Sequence, residues 1–278
     1  MSAPRRTVEP HRAEADPVVS LLTDFGERDG FVGVIRAVIL GICPRARLVD
    51  LTHEVRPQDV VGGALVLENA VEYFPPGTVH LAVVDPGVGG ARRPIVIETE
   101  RFLLVGPDNG LLSLAAERSP RRRVVHLDRS SWFRESGSRT FHGRDVFAPV
   151  AGHLAAGTPA AELGSEIEEY EHVVLPVPRS IDGAVEGQVI HVDRFGNLIS
   201  NLRQEDLAAF RDSELSVSIA GVRIRGIVTH YAAVREGGTL ALWNSWGRLE
   251  IAVRNGSAAR HLRAHPGDRV EVRRASGS

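Results

Sequence analysis

Lysine is absent: all 33 basic side chains among the 278 residues are arginine. Schiff-base chemistry and the lysine of a phosphate-binding P-loop are therefore excluded. A single cysteine, Cys43, rules out an intrachain disulfide and any multi-cysteine zinc site. Set between Ile42 and Pro44, it reads as a small buried hydrophobe. Aromatics are scarce at 5%, so the core must be built from Val, Leu, Ile and Ala. No apolar run approaches the ~20 residues of a membrane span, and the opening MSAPRRTVEPHRAEADP lacks the apolar centre of a secretory signal. No membrane partner is expected, and a reduced, cytoplasmic setting is. Neither charge sign dominates: 35 acids against 33 bases leave a net charge of −2, which draws the chain to no nucleic acid. What is present, 43% hydrophobic and 24% charged residues, is an ordinary globular composition.

Residues 1–16 are polar, rich in Arg, Glu and Pro and without period, and read as a disordered leader. Val18–Thr23 is a β-branched run ending in Asp24-Phe25-Gly26, followed by helical spacing from Asp29 to Ile42 that Pro44 stops. Leu48–Leu51 is a second strand. Residues 57–73 have helical spacing opened by Pro57-Gln58-Asp59, and Thr78–Val84 is a third strand running into Asp85-Pro86-Gly87. This alternation predicts a parallel sheet with helices on its faces. Ile95–Ile97 and Phe102–Val105 add strands, Arg121–Arg123 reads as a solvated edge, and Asp145–Ala156 reads as a helix ended by Gly157.

The character changes near Val174. Residues 175–184 have linker composition. Beyond them short strands at 185–192, 215–219, 222–224, 240–243, 249–253 and 269–272 alternate with turns, and only Gln204–Phe210 looks helical. The expected architecture is an α/β domain over 17–174 with a mainly parallel central sheet. A smaller antiparallel, barrel-like β domain over 185–278 follows it.

Ligands of open α/β sheets gather beyond the carboxyl ends of the strands. Here those ends carry Asp24 and Asp85, each on a glycine-bearing turn, and Arg92 follows Asp85 by seven residues. Each acid either caps the segment after it or offers a carboxylate to a ligand; a ribose diol suits such an acceptor. Asp24-Phe25-Gly26 spells the kinase metal tripeptide, but no glycine-rich loop with its lysine accompanies it. Gly87-Val88-Gly89-Gly90 lacks the third spaced glycine of a dinucleotide fingerprint, although Val-Val-Asp-x-Gly-x-Gly also fits a methyltransferase loop. His53-Glu54 has no second His four residues on, so the zinc-protease helix is missing. His142, in Thr140-Phe141-His142-Gly143-Arg144-Asp145, sits before a helix start and beside a glycine that permits close ligand approach. It reads equally well as structural or ligand-facing.

Seven motifs in order, TDFG (23–26) with Asp29, HEVRPQD (53–59), VVDPGVGGARR (83–93), GPDNGLL (106–112), FHGRDVFAP (141–149), VDRFGNLISN (192–201) and NSWGRLEIAV (244–253), together resemble one family. It is that of the adenosine-forming SAM hydrolases, also called SAM hydroxide adenosyltransferases, relatives of the SAM-dependent fluorinase and chlorinase. The resemblance runs from about residue 18 to 272. It implies hydrolysis of S-adenosyl-L-methionine to adenosine and L-methionine by water or hydroxide at the ribose 5′ carbon. Asp85, Arg92 and His142 match the water-activating set, which the halogenating relatives lack. By the same resemblance Asp24 grips the ribose hydroxyls, Phe195 and (after a one-residue gap) Tyr231 sandwich the adenine, and Asn197 and the Val253 backbone contact the nucleoside. Asp29, Asp193, Ser245 and Glu250 fall at the methionine end, where acids suit the ammonium and the hydroxyl the carboxylate. Trp246 stands where the fluorinase has an arginine beside that carboxylate. The resemblance further implies a homotrimer with active sites at subunit interfaces, and no metal or organic cofactor. A halogenase of the same fold, a methyltransferase and a non-catalytic SAM- or adenosine-binding regulator are the alternative readings.

Overall fold

The computed structural model describes residues 15–135, 138–210 and 214–275. The leader expected over 1–16 lies outside the described residues except at its end, where Asp16 accepts a 3.0 Å hydrogen bond from Arg47. The chain divides into two compact units between Val173 and Val174.

The first unit runs β1 (Val18–Thr23), α1 (Phe31–Ile42), β2 (Arg47–Thr52), α2 (Val60–Glu68), β3 (Thr78–Val83), β4 (Pro94–Thr99) and β5 (Phe102–Pro107). It continues through α3 (Ser113–Ala116), β6 (Arg121–His126), α4 (Ala148–Ala155) and β7 (Ser165–Ile167). Its sheet has the order β2-β1-β3-β5-β4-β6-β7. The β2, β1, β3 and β5 strands pair in parallel, whereas β4 is antiparallel to both neighbours and β7 to β6. Five of the seven strands thus share one direction, as the βαβ pattern requires.

Side-chain alternation splits this core in two. Val19, Leu21, Val79, Leu81 and Val83 pack with Ile35 and Ile39 of α1 and Val150 and Leu154 of α4. On the other face, Leu22, Ala82 and Val84 pack with Leu67 of α2 and with Leu111 and Leu112. Each fully buried aliphatic side chain of this kind contributes about 1.5–3 kcal/mol.

The second unit contains β8 (Arg179–Ile181), β9 (Ala184–Val192), β10 (Leu198–Arg203), β11 (Leu215–Ile219), β12 (Val222–Arg225), β13 (Thr239–Trp243), β14 (Arg248–Val253), α5 (Ala258–Leu262) and β15 (Arg269–Arg274). Its strands pair antiparallel in the order β12-β11-β15-β9-β10-β14-β13, with β8 added to β9. Val228 donates from its backbone to Ala241 of β13 at 2.8 Å, so the chain leaving β12 nearly closes the sheet into a barrel.

Several local expectations change. The helical stretch over 57–73 is shorter: Asp59 caps α2 through Gly62 N, and a separate 3₁₀ turn covers Val71–Tyr73. The arginines read as a solvated edge are exposed at Arg121 and Arg122 as expected, but they begin a strand, β6, whose Val124 and Val125 are buried. The 175–184 linker contains β8. The helix expected from Asp145 is a π-turn over Gly143–Phe147 that leads into α4. Gln204–Phe210 is 3₁₀. β10 went unseen because Asn197 to Asn201 offers no clean alternation, and all five of its first residues are buried.

Candidate active site

The chain leaves β1 toward β2 on one side and returns through β3 on the other, which makes their shared carboxyl end a topological switch point. Thr23 and Val83 are register partners there, so Asp24 and Asp85 emerge side by side. Between them opens a cavity of about 650 Å³, lined by Asp24, Phe25, Phe31, Gln58, Asp85, Val88, Thr140, Phe141, His142 and Arg144 among others. All belong to the first unit.

Arg92 organises one wall. Its Nε lies 3.0 Å from both Asp85 carboxylate oxygens, and its Nη2 donates to Oδ2. The same Nη2 donates to His142 Nδ1 at 2.9 Å. With side-chain exposures of 9% and 4%, Arg92 and Asp85 form a buried, bidentate pair that neither partner could enter alone. The guanidinium also lies over the Phe147 ring, 5.2 Å from its centroid. His142 lines the cavity, and Arg92 stands behind it rather than on the wall.

This contact determines the imidazole's tautomer. A guanidinium only donates, so Nδ1 must accept, and the neutral ring then carries its proton on Nε2. Nε2 has no protein partner among the described residues. Burial, and after it the Arg92 charge, lower the His142 pKa against the opposing pull of Asp85 and Asp145, which favours the neutral ring. The π-turn that begins at Gly143 sets the register of His142, and π-turns recur at functional sites.

Asp24 accepts a 2.8 Å hydrogen bond from the backbone of Gln58 at Oδ2. Gln58 holds a left-handed φ of 68°, an uncommon conformation for a non-glycine residue. Phe25, Phe31 and Phe141 form a mutual edge-to-face triangle with centroids 5.3–6.1 Å apart. Sequence reasoning passed over Gln58 and this triangle. Phe25 and Phe141 belong to the TDFG and FHGRDVFAP motifs, and no one-dimensional signal brings Phe31 to them. Asp29 is exposed and is not part of the cavity wall.

The remaining predicted residues gather on the second unit. Asp193 folds its own loop: Oδ1 accepts from the backbones of Phe195 and Asn197, and Oδ2 from Asn197 Nδ2, each at 2.9 Å. Gly196 in that loop has φ +84°, and a Cβ there would lie 2.0 Å from Ser257 Oγ, so only glycine fits. The turn leaves Phe195 76% exposed. Tyr231 donates to buried Glu250 at 2.8 Å. Burial, and to a lesser degree Asp193, push the Glu250 carboxyl up, against hydrogen bonds from Tyr231 and Asn244 that lower it. Ser245 is exposed on the following turn, and buried Val253 uses its carbonyl to accept from Gly256 N at 3.0 Å.

Residues 19–164 match the SAM hydroxide adenosyltransferase N-terminal domain, and residues 187–271 match the C-terminal domain. The chain belongs to this family. An (R)-S-adenosyl-L-methionine hydrolase of Salinispora tropica is 43% identical over 262 residues, 92% of this chain and 97% of the relative. One from Thermus thermophilus is 40% identical over 253 residues, 88% and 94% of the two chains. A fluorinase of an Actinoplanes species is more distant, 27% identical over 70% of this chain and 74% of its own. Among solved structures, an uncharacterized conserved protein from Thermotoga maritima superposes with a TM-score of 0.85 at 37% identity, covering 92% of this chain and all of the other. In this family member, Asp24, Asp85, Arg92 and His142 fall on the first domain, and Asp193, Phe195, Asn197, Tyr231, Ser245, Glu250 and Val253 on the second.

Proposed function

We propose that this protein hydrolyses S-adenosyl-L-methionine to adenosine and L-methionine. The observation that carries the reading is the Asp85–Arg92–His142 chain at the wall of the switch-point cavity. Relatives at 40–43% identity that bear the name of that hydrolase support it. The sulfonium is a cationic leaving group, so its departure needs no general acid. A new bond forms between an oxygen and C5′, the C5′–S bond breaks, and its electron pair neutralises the sulfur as the thioether of methionine. The catalyst must supply an in-line oxygen about 3 Å from that carbon.

Nε2–H of neutral His142 donates to that oxygen and holds it as hydroxide, while the proton lost by the water passes to solvent. The tautomer assigns the ring this donor role rather than that of a base at Nε2. Arg92 holds the tautomer. Its field at the hydroxide is largely offset by Asp85, so the positioned hydrogen bond is the larger contribution. Asp24, one oxygen of which is taken by Gln58 N, accepts from the ribose hydroxyls with the rest of its lone pairs. Phe195 and Tyr231 stack on adenine, Asn197 and the Val253 backbone contact the nucleoside, and Asp193, Ser245 and Glu250 meet the methionine end. The second-domain set comes from a neighbouring subunit of a homotrimer. The enzyme works in the cytoplasm without a metal or organic cofactor.

Incubation with S-adenosyl-L-methionine in ¹⁸O-water tests the reaction. Label in the 5′-hydroxyl of adenosine is expected. S-adenosylhomocysteine as product, or a nucleoside without label, would overturn the reading.

A further inference from the structure

His53 opens the HEVRPQD motif, and the chemistry above gives it no task. Its side chain is almost wholly buried, yet both ring nitrogens are paired: Nδ1 with Thr23 Oγ1 at 2.8 Å and Nε2 with Asp50 Oδ1 at 3.0 Å. Asp50 is in turn gripped by Arg36 through a two-pronged contact, with Nε–Oδ1 at 3.1 Å. Ionised Asp50 only accepts, so the imidazole donates from Nε2, which leaves Nδ1 to accept the Thr23 hydroxyl proton. The hydroxyl oxygen accepts from the backbone of Phe25 at 3.2 Å. The contacts run without a break along Arg36–Asp50–His53–Thr23–Phe25.

We infer that His53 is a positioning residue for the Asp24 carboxylate. Of the two residues flanking Asp24, Thr23 bonds this imidazole directly and Phe25 is tied to it through the Thr23 hydroxyl. The His53 carbonyl also accepts from Gly26 N at 2.8 Å. Five residues past His53, the same loop brings the Gln58 backbone to Asp24 Oδ2. Gln58 holds a left-handed φ of 68° there, a conformation that needs support from its surroundings. The chain resembles a nucleophilic triad but cannot be one. The hydroxyl meets Nδ1 and the carboxylate Nε2, the reverse of the triad arrangement, and Thr23 is 1% exposed and absent from the cavity wall.

The inference rests on the proposed function and adds a residue to its site. The test measures adenosine affinity by calorimetry and the KM for S-adenosyl-L-methionine on the full chain. His53→Ala and Thr23→Val should each weaken both about tenfold, the yield of one lost hydrogen bond. The double variant should be no worse than the poorer single one. His53→Asn, which restores an acceptor for Thr23, should recover most of the loss. Asp50→Asn, at the solvent-facing end of the chain, gives the same readout even where His53→Ala fails to fold. Unchanged affinity and KM in folded variants whose only defect is a lower melting temperature would overturn the inference. Absence of turnover in the unaltered protein would instead sink the proposed function and leave the adenosine comparison to judge His53.

Discussion

Arg92 Nη2 and His142 Nδ1 lie 2.9 Å apart, although fifty residues separate them in the chain. One comes from the loop after β3, the other from the start of the π-turn before α4. The contact sets the tautomer of the neutral imidazole and makes the guanidinium an extension of Asp85.

Removal of the imidazole should separate chemistry from binding. His142→Ala is expected to lower kcat about a hundred- to a thousandfold, as for loss of one preorganised donor to a developing oxyanion, with substrate affinity nearly unchanged. The pH profile follows from the lowered pKa: protonation adds its proton at Nδ1, which leaves the Nε2–H donor in place but breaks the Arg92 contact that orients the ring, so the rate falls as pH drops through a value below 6.5. A pH–rate profile of the unaltered protein should show this acid limb, and the residual rate of His142→Ala should lack it.

Asp85→Asn should leave Arg92 buried without its counter-charge. Breaking a buried pair in this way costs about 3–5 kcal/mol, which urea unfolding would read. Arg92→Lys keeps the charge but cannot span Asp85 and His142 together, so it should fold and lose most of its turnover.

His80 has no place in the chemistry and a clear one in stability. It is fully buried on β3, bonded through Nδ1 to Ser20 Oγ at 2.6 Å and edged by Phe74 and Phe102. Burial pushes its pKa down from 6.5 to about 4. The unfolded chain therefore takes up the proton first. Its contribution is complete above pH 6.5 and lost as pH falls from there toward 4, by an amount on the order of 3 kcal/mol. Thermal melts between pH 7 and pH 4 should show a smaller acid decline in His80→Leu.

Gly89 couples the Asp85–Arg92 loop to the segment carrying His142. Its φ is +75°, and a Cβ would stand 2.6 Å from the Arg139 carbonyl oxygen. Gly89→Ala must push that segment away, and a large fall in kcat with a small change in melting temperature is expected.

Much of the first domain was legible in one dimension. The runs at Val18, Leu48 and Thr78 alternate with helical spacing, and Asp59, Pro44 and Gly157 mark element boundaries through local backbone chemistry. β6 was hidden because its three arginines disguise a strand whose apolar half is only Val124 and Val125. The π-turn was hidden because its wide hydrogen bond, from Ala148 N to the Gly143 carbonyl five residues back, depends on backbone geometry and not on composition. Asp24, Asp85, Arg92 and His142 were all named from motifs. That Arg92 stands behind His142 and donates to it was not legible.

Residue type and short-range spacing were enough for the two-domain succession, the strand ends that carry acids and the exclusion of lysine, disulfide and multi-cysteine chemistry. Folding in three dimensions settled which nitrogen of His142 holds the proton and which loop fastens Asp24. It also decided that the Thr23–His53–Asp50 chain is a brace rather than a nucleophile. Those properties depend on which donor faces which acceptor across tens of residues, and hydrogen bonds are specified by distance and direction that no linear spacing encodes.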